Sequence, residues 1–103
     1  MSNQELVKIL YEMAALLDMK GEDFKPRAYE RAAYSIESLG DDVDEIYKKG
    51  GLKALEEIPG VGQGIAERIE ECIKTGHIAD HDKLKKEFPV DISGLMNIEG
   101  VGP

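Results

Sequence analysis

Apolar residues recur at helical spacing along most of the chain, and the breaks between runs carry helix-stop or turn residues. Ser2-Asn3-Gln4-Glu5 has the form of a capping box, and Leu6, Ile9, Leu10, Met13, Leu16 and Leu17 follow on one face until Lys20-Gly21 supplies a stop. Pro26 suits the first turn of a second helix, with Tyr29, Ala32, Ala33, Ile36 and Leu39 as its apolar stripe, Arg27 and Arg31 on the other face, and Gly40 at its end. Asp42-Val43-Asp44-Glu45 opens a short third helix through Ile46 and Tyr47, which Gly50-Gly51 terminates. Leu52 to Ile58 reads as a two-turn helix and Pro59-Gly60-Val61-Gly62 as a tight turn. Gln63 to Thr75 then reads as a helix with Ile65, Ala66, Ile69, Cys72 and Ile73 inward and Gly76 as its stop. A last full helix covers about Asp80 to Phe88, closed by Pro89, and a short turn near Ser93 to Asn97 leads into Glu99-Gly100-Val101-Gly102-Pro103. Sustained period-two alternation is absent, so the pattern predicts an all-α fold, a compact small helical bundle.

The helix, tight turn and helix from Leu52 to Thr75 form one complete helix-hairpin-helix unit. Leu55-Glu56-Glu57-Ile58-Pro59-Gly60-Val61-Gly62 recurs as Leu95-Met96-Asn97-Ile98-Glu99-Gly100-Val101-Gly102, identical at five of eight places. The repeat divides the chain into a helical domain over residues 1–90 and the start of a second hairpin over 91–103. The helix that should complete the second hairpin is missing, which leads us to expect a longer natural protein continuing from Pro103.

Composition narrows what the hairpin can do. The chain has 103 residues and a formal charge of -8, enough for one modest core. No apolar run is long enough for a membrane span and the N-terminus is polar, so we expect a cytoplasmic protein with no membrane partner. A single cysteine, Cys72, rules out an internal disulfide framework. The acid excess has an address: residues 37 to 57 hold seven acids and three bases, whereas Lys25, Arg27 and Arg31 cluster just before. An acidic surface repels phosphate, so any nucleic-acid contact must be local.

The hairpin offers such a contact. Gly60 and Gly62 can adopt positive φ without a Cβ clash, so the turn folds tightly and the backbone N–H groups of residues 62 to 65 can face outward with no side chain in the way. Donors in the first turn of a helix have no intrahelical acceptor and sit at the positive end of the helix dipole, which suits a phosphate oxygen. Main-chain contacts to phosphate position a strand without reading its bases. The bland alternative is a glycine-rich connection that binds nothing. Leu55, Ile58, Val61, Ile65 and Ile69 weigh against it, because their spacing packs two helices across the hairpin and leaves the glycines exposed. Other chemistries fail on context. The turn has neither the strand nor the GxGxxG spacing of a dinucleotide site, and no Gly-Lys-Ser or Gly-Lys-Thr is present. Cys72, His77 and His81 invite a zinc reading, but Cys72 lies on an apolar stripe and the histidines read as surface residues. Asp41, Asp42, Asp44, Asp80 and Asp82 lie at helix starts, where acids complement the dipole and need no metal. Lys25 and Lys74 are candidate amine nucleophiles by location alone.

Ala28-Tyr29-Glu30-Arg31-Ala32-Ala33, Ile58-Pro59-Gly60-Val61-Gly62, Ile65-Ala66-Glu67-Arg68-Ile69 and the closing Thr75-Gly76 together give the chain a resemblance that covers its whole length. It resembles the N-terminal domain of family X DNA polymerases, the group that includes DNA polymerase beta, and most closely their bacterial and archaeal forms. The resemblance implies a module that binds gapped, nicked or single-stranded DNA as a monomer and delivers it to polymerase domains in cis, with Mg2+ confined to the catalytic domain. It implies no cofactor in this fragment beyond a Na+ or K+ held by the backbone carbonyls of Glu56, Ile58 and Val61, and in the second copy by those of Met96, Ile98 and Val101. In relatives with deoxyribose-phosphate lyase activity the Schiff-base lysine falls where this chain has Arg68, which is no amine nucleophile. Lys25 and Tyr29 match the family's 5′-phosphate pocket, whereas Glu56 and Gly64 stand where relatives carry lysine.

The leading expectation is therefore sequence-independent DNA binding through Gly60, Val61, Gly62, Gln63, Gly64 and Ile65, with Lys25, Arg27, Tyr29 and Arg68 adding local contacts and no catalytic residue. Two alternatives stand beside it: a protein-interaction domain whose acidic face meets a basic partner, and a residual lyase using another lysine.

Overall fold

A computed structural model describes residues 2–23 and 25–88. Five helices account for most of them: α1 (Asn3–Lys20), α2 (Lys25–Glu37), α3 (Val43–Glu56), α4 (Gln63–Thr75) and α5 (Ala79–Glu87). No strand occurs among the described residues, as the patterning predicts. The second hairpin, with Met96, Ile98 and Val101, lies outside the described residues.

Local chemistry explains most of the boundaries. Ser2 accepts the Glu5 N–H at 3.1 Å and so caps α1, and Gly21 ends that helix at φ 93°. α2 stops at Glu37, two residues short of the expected Leu39: the Ser38 N–H still makes the helical bond to the Tyr34 carbonyl at 3.2 Å, but the Leu39 N–H donates to the Ile36 carbonyl at 3.1 Å, a tighter turn that ends the helix. α3 breaks its helical geometry at Gly51, φ 67° and ψ -154°, so it is two short helices joined where Gly50-Gly51 predicts a stop. Asp42 precedes α3 as expected, yet its side chain does not cap. Asn3 of α1 does so instead, its Oδ1 accepting the Val43 N–H at 2.9 Å while its Nδ2 donates to the Asp41 carbonyl at 3.0 Å. Gly76 closes α4 at φ 89°.

The core is built where these helices face one another. α1 packs mainly on α2, α3 on α4, and α5 returns to α1. Leu6, Leu10 and Leu16 of α1, Ile36 of α2, Leu55 of α3, Ile69 of α4 and Ile78 are fully buried. Tyr47 of α3 donates to Glu70 of α4 at 2.6 Å, which also lifts the phenol's pKa. α5 is clasped by a buried pair, His81 Nε2 to Glu12 Oε1 at 2.9 Å, and by the Ala79 N–H donating to Glu71 Oε2 at 2.8 Å. His81 is thus no surface residue, correcting the sequence reading; it falls on the inward stripe of Ile78, His81 and Leu84. No helix is long and apolar enough to cross a membrane among the described residues.

Candidate nucleic-acid interface

The turn between α3 and α4 is set by two apolar anchors and two glycines. Ile58 and Val61 are buried and the Val61 N–H donates to the Ile58 carbonyl at 3.0 Å, which folds Pro59 and Gly60 outward. Gly60 has φ +81°, and a Cβ there would meet the Arg31 Cγ at 2.8 Å, so both conformation and space call for glycine. Gly62 does not adopt positive φ: its φ is -87° and ψ -179°, ordinary extended backbone. A Cβ at Gly62 would meet nothing within 4 Å. Its glycine is therefore a matter of exposure and not of strain.

That exposure leaves the start of α4 open. Gly62 is the residue preceding the first turn and offers no side-chain acceptor, and the first backbone bond of the helix runs from the Ala66 N–H to the Gly62 carbonyl at 2.8 Å. The N–H groups of Gln63, Gly64 and Ile65 precede it and have no intrahelical acceptor. The starts of α1, α3 and α5 each receive a side-chain oxygen, from Ser2, Asn3 and Glu71 respectively. Among the described residues α4 receives none, although Gly62, Gln63 and Gly64 are all exposed. The arrangement presents oriented donors with a helix dipole behind them, the requirement for holding a phosphate oxygen.

Beside the hairpin lies a cleft of about 460 Å3 formed where α1, α2, α4 and α5 meet. It brings together Lys25, Tyr29, Gly64, Ile65 and Arg68 from the sequence-derived set, and adds Lys20 and Lys83. Arg68 is held in place: its Nε donates to Asp80 at 2.9 Å, its Nη1 to the Gly64 carbonyl at 2.9 Å, and its Nη2 lies 2.6 Å from Asp80. Burial alone would lower the Arg68 pKa, but Tyr29 and Asp80 outweigh it and hold the guanidinium charged. Tyr29 is itself pushed up by burial. Lys20 pairs with Glu87 at 3.4 Å, whereas Lys25 and Lys83 make no ion pair among the described residues. Lys83 was not legible in the sequence, because only the docking of α5 brings it to this wall.

Arg27 does not join this group. It lines a second cleft, between α1 and α2, with Tyr11, Asp18, Glu22, Asp23 and Glu30. Arg31, by contrast, lies directly over Gly60. The zinc reading finds no support in the geometry: Cys72 is buried, His77 bonds Asp82 at 2.9 Å, His81 bonds Glu12, and no cluster of three or more His, Cys, Asp or Glu side chains placed to hold a metal occurs among the described residues. At the hairpin, the Glu56 and Val61 carbonyls accept no hydrogen bond among the described residues, while the Ile58 carbonyl accepts that of Val61.

A DNA polymerase/3'-5' exonuclease PolX from Bacillus subtilis is 25% identical over 103 residues, covering 99% of this chain and 17% of its own length. DNA polymerase lambda from Rattus norvegicus is 25% identical over 100 residues, covering 97% of this chain and 16% of its own. Both are family X DNA polymerases, as the sequence resemblance implies, and the chain spans about a sixth of their length. Residues 1–78, which include the open turn and all of α4, match the helix-hairpin-helix domain, and the chain belongs to that family.

Proposed function

We propose that this chain is a sequence-independent DNA-binding module of a family X DNA polymerase, in which the Gln63, Gly64 and Ile65 amides hold a backbone phosphate. The observation that carries the proposal is the uncapped start of α4, since the starts of α1, α3 and α5 are satisfied from within the molecule. Lys25 and Lys83 supply the nearby positive charge, and the remaining polymerase domains act in cis. Repair-type substrates, gapped or nicked, suit a contact that fixes backbone and ignores sequence. A monovalent cation at the Glu56, Ile58 and Val61 carbonyls would steady the turn, and two of those three oxygens lack a hydrogen-bond partner among the described residues.

This fragment has no lyase chemistry through Arg68, whose guanidinium is neither nucleophilic nor free of Asp80. Borohydride trapping on an abasic substrate should leave the chain unlabelled; a covalent adduct would restore the lyase reading through another lysine. For DNA binding, we expect a dissociation constant of about 10⁻⁴ to 10⁻⁶ M at moderate salt. Adding gapped DNA at low salt should shift the amide resonances of Gln63, Gly64 and Ile65 before others. Unmoved hairpin amides would refute the proposal.

A further inference from the structure

Arg68 is tied to the very turn that carries the open amides, and its guanidinium is already occupied. The side chain runs back along α4, and Nη1 donates to the Gly64 carbonyl at 2.9 Å. Nε and Nη2 both fall on one oxygen of Asp80, at 2.9 and 2.6 Å, so all three guanidinium nitrogens are engaged within the molecule. A phosphate oxygen would make the same charge-assisted contacts with this fork, so the carboxylate stands where a phosphate would. Asp80 is delivered there by the fold. The residues on either side of it are anchored, Ala79 through its N–H to Glu71 Oε2 at 2.8 Å and His81 through Nε2 to Glu12 Oε1 at 2.9 Å. With Lys20 paired to Glu87 as well, only Lys25 and Lys83 of the four cations lining the cleft make no ion pair among the described residues.

We infer that Asp80 is the residue that limits DNA affinity in this chain: it acts as an internal substitute for phosphate and keeps Arg68 off the DNA backbone. The inference rests on the DNA-binding reading above and adds to it which cation is withheld and by what. A phosphate that reaches Arg68 has to break the pair and then lie beside the released carboxylate, whose like charge opposes it. The pair is not locked, because the Arg68 and Asp80 side chains are 33% and 50% exposed and water screens their attraction. Asp80 therefore lowers affinity by a moderate factor, and a single neutral substitution should release the guanidinium.

The test measures binding of the 103-residue chain to labelled gapped DNA by fluorescence anisotropy across a salt series. Asp80→Asn keeps the side-chain shape and removes its charge. It should tighten binding about fivefold, the upper end of what an exposed pair withholds, and steepen the dependence of log K on log salt by about 0.9 as one more phosphate is neutralised. The double variant Asp80→Asn/Arg68→Gln removes the pair at constant net charge and should bind like the wild type. Glu67→Gln makes the same change in net charge one residue from Arg68, at a carboxylate bonded to Gln63, and should stay close to the wild type. The pair is partly exposed, so these variants should fold, which circular dichroism verifies. Wild-type affinity in Asp80→Asn overturns the inference. So does a double variant weaker than the wild type, which would mean that Arg68 already holds phosphate, or a gain in Glu67→Gln equal to that in Asp80→Asn, which would mean bulk charge alone. Gly62→Asp, which fills the α4 amides with its own carboxylate, tests the underlying reading separately: if it binds like the wild type, the hairpin contact fails whatever Asp80→Asn does.

Discussion

The two hairpin glycines perform different tasks, and substitution should separate them. Gly60 sits at φ +81° with Arg31 against its open side. Gly60→Ala forces a Cβ into a left-handed conformation and displaces Arg31, and should cost about 1–2 kcal/mol in denaturant unfolding. Gly62, in extended backbone and facing empty space, should accept a side chain without loss. The sequence made both glycines visible and allowed positive φ at each, but only Gly60 uses it. The distinction depends on backbone angles that a Gly-Val-Gly string does not encode. Cys72 was legible as buried from its place on the α4 stripe, and burial raises its pKa above the ordinary thiol value. A folded state that holds this proton more tightly than the unfolded chain keeps its stability below about pH 9 and loses it as pH rises through the folded value. Thermal midpoints measured through the alkaline range should fall more in the wild type than in Cys72→Ala.

At the scale of elements, the helices differ in how the first turn is satisfied. The Asn3 side chain bridges the Asp41 carbonyl and the Val43 N–H, so it joins the start of α1 to the start of α3. Asn3→Ala should destabilise the fold by about 1 kcal/mol, read as a lower urea midpoint with unchanged slope. Helix existence and order were legible because the apolar period and the stops at Gly21, Gly51 and Gly76 agree with one another. Cross-element partners were not legible. Asn3 caps a helix 40 residues away, and His81 reaches Glu12 across 69. The same gap separated the site set: Lys25, Tyr29 and Arg68 converge on one cleft, while Arg27 lines another with Asp18, Glu22, Asp23 and Glu30. Adjacent positions on α2 face different neighbours, and only packing shows which.

For the whole molecule, the question is how a chain of charge -8 can hold a polyanion. Local geometry answers it: the donors are main-chain groups that carry no formal charge, and the few cations near them, Lys25 and Lys83 in the cleft and Arg31 over Gly60, come from outside the acidic stretch of residues 37 to 57. Such a contact releases few counterions. The logarithm of the binding constant should fall with the logarithm of salt concentration with a slope of magnitude about 3 or less, set by Lys25, Lys83 and Arg31. A steep slope would mean that a larger basic surface does the binding.

The most direct measurement places Gly62→Asp beside the wild type, following unfolding by urea and binding to gapped DNA under one buffer. An aspartate at this position can cap α4 from within, as Ser2 caps α1, so stability should rise by a few tenths of a kcal/mol or more. The same carboxylate occupies the amides and repels phosphate, so affinity should fall at least tenfold. A stabilised variant that binds DNA as the wild type does would show that the open end of α4 is not where the phosphate is held.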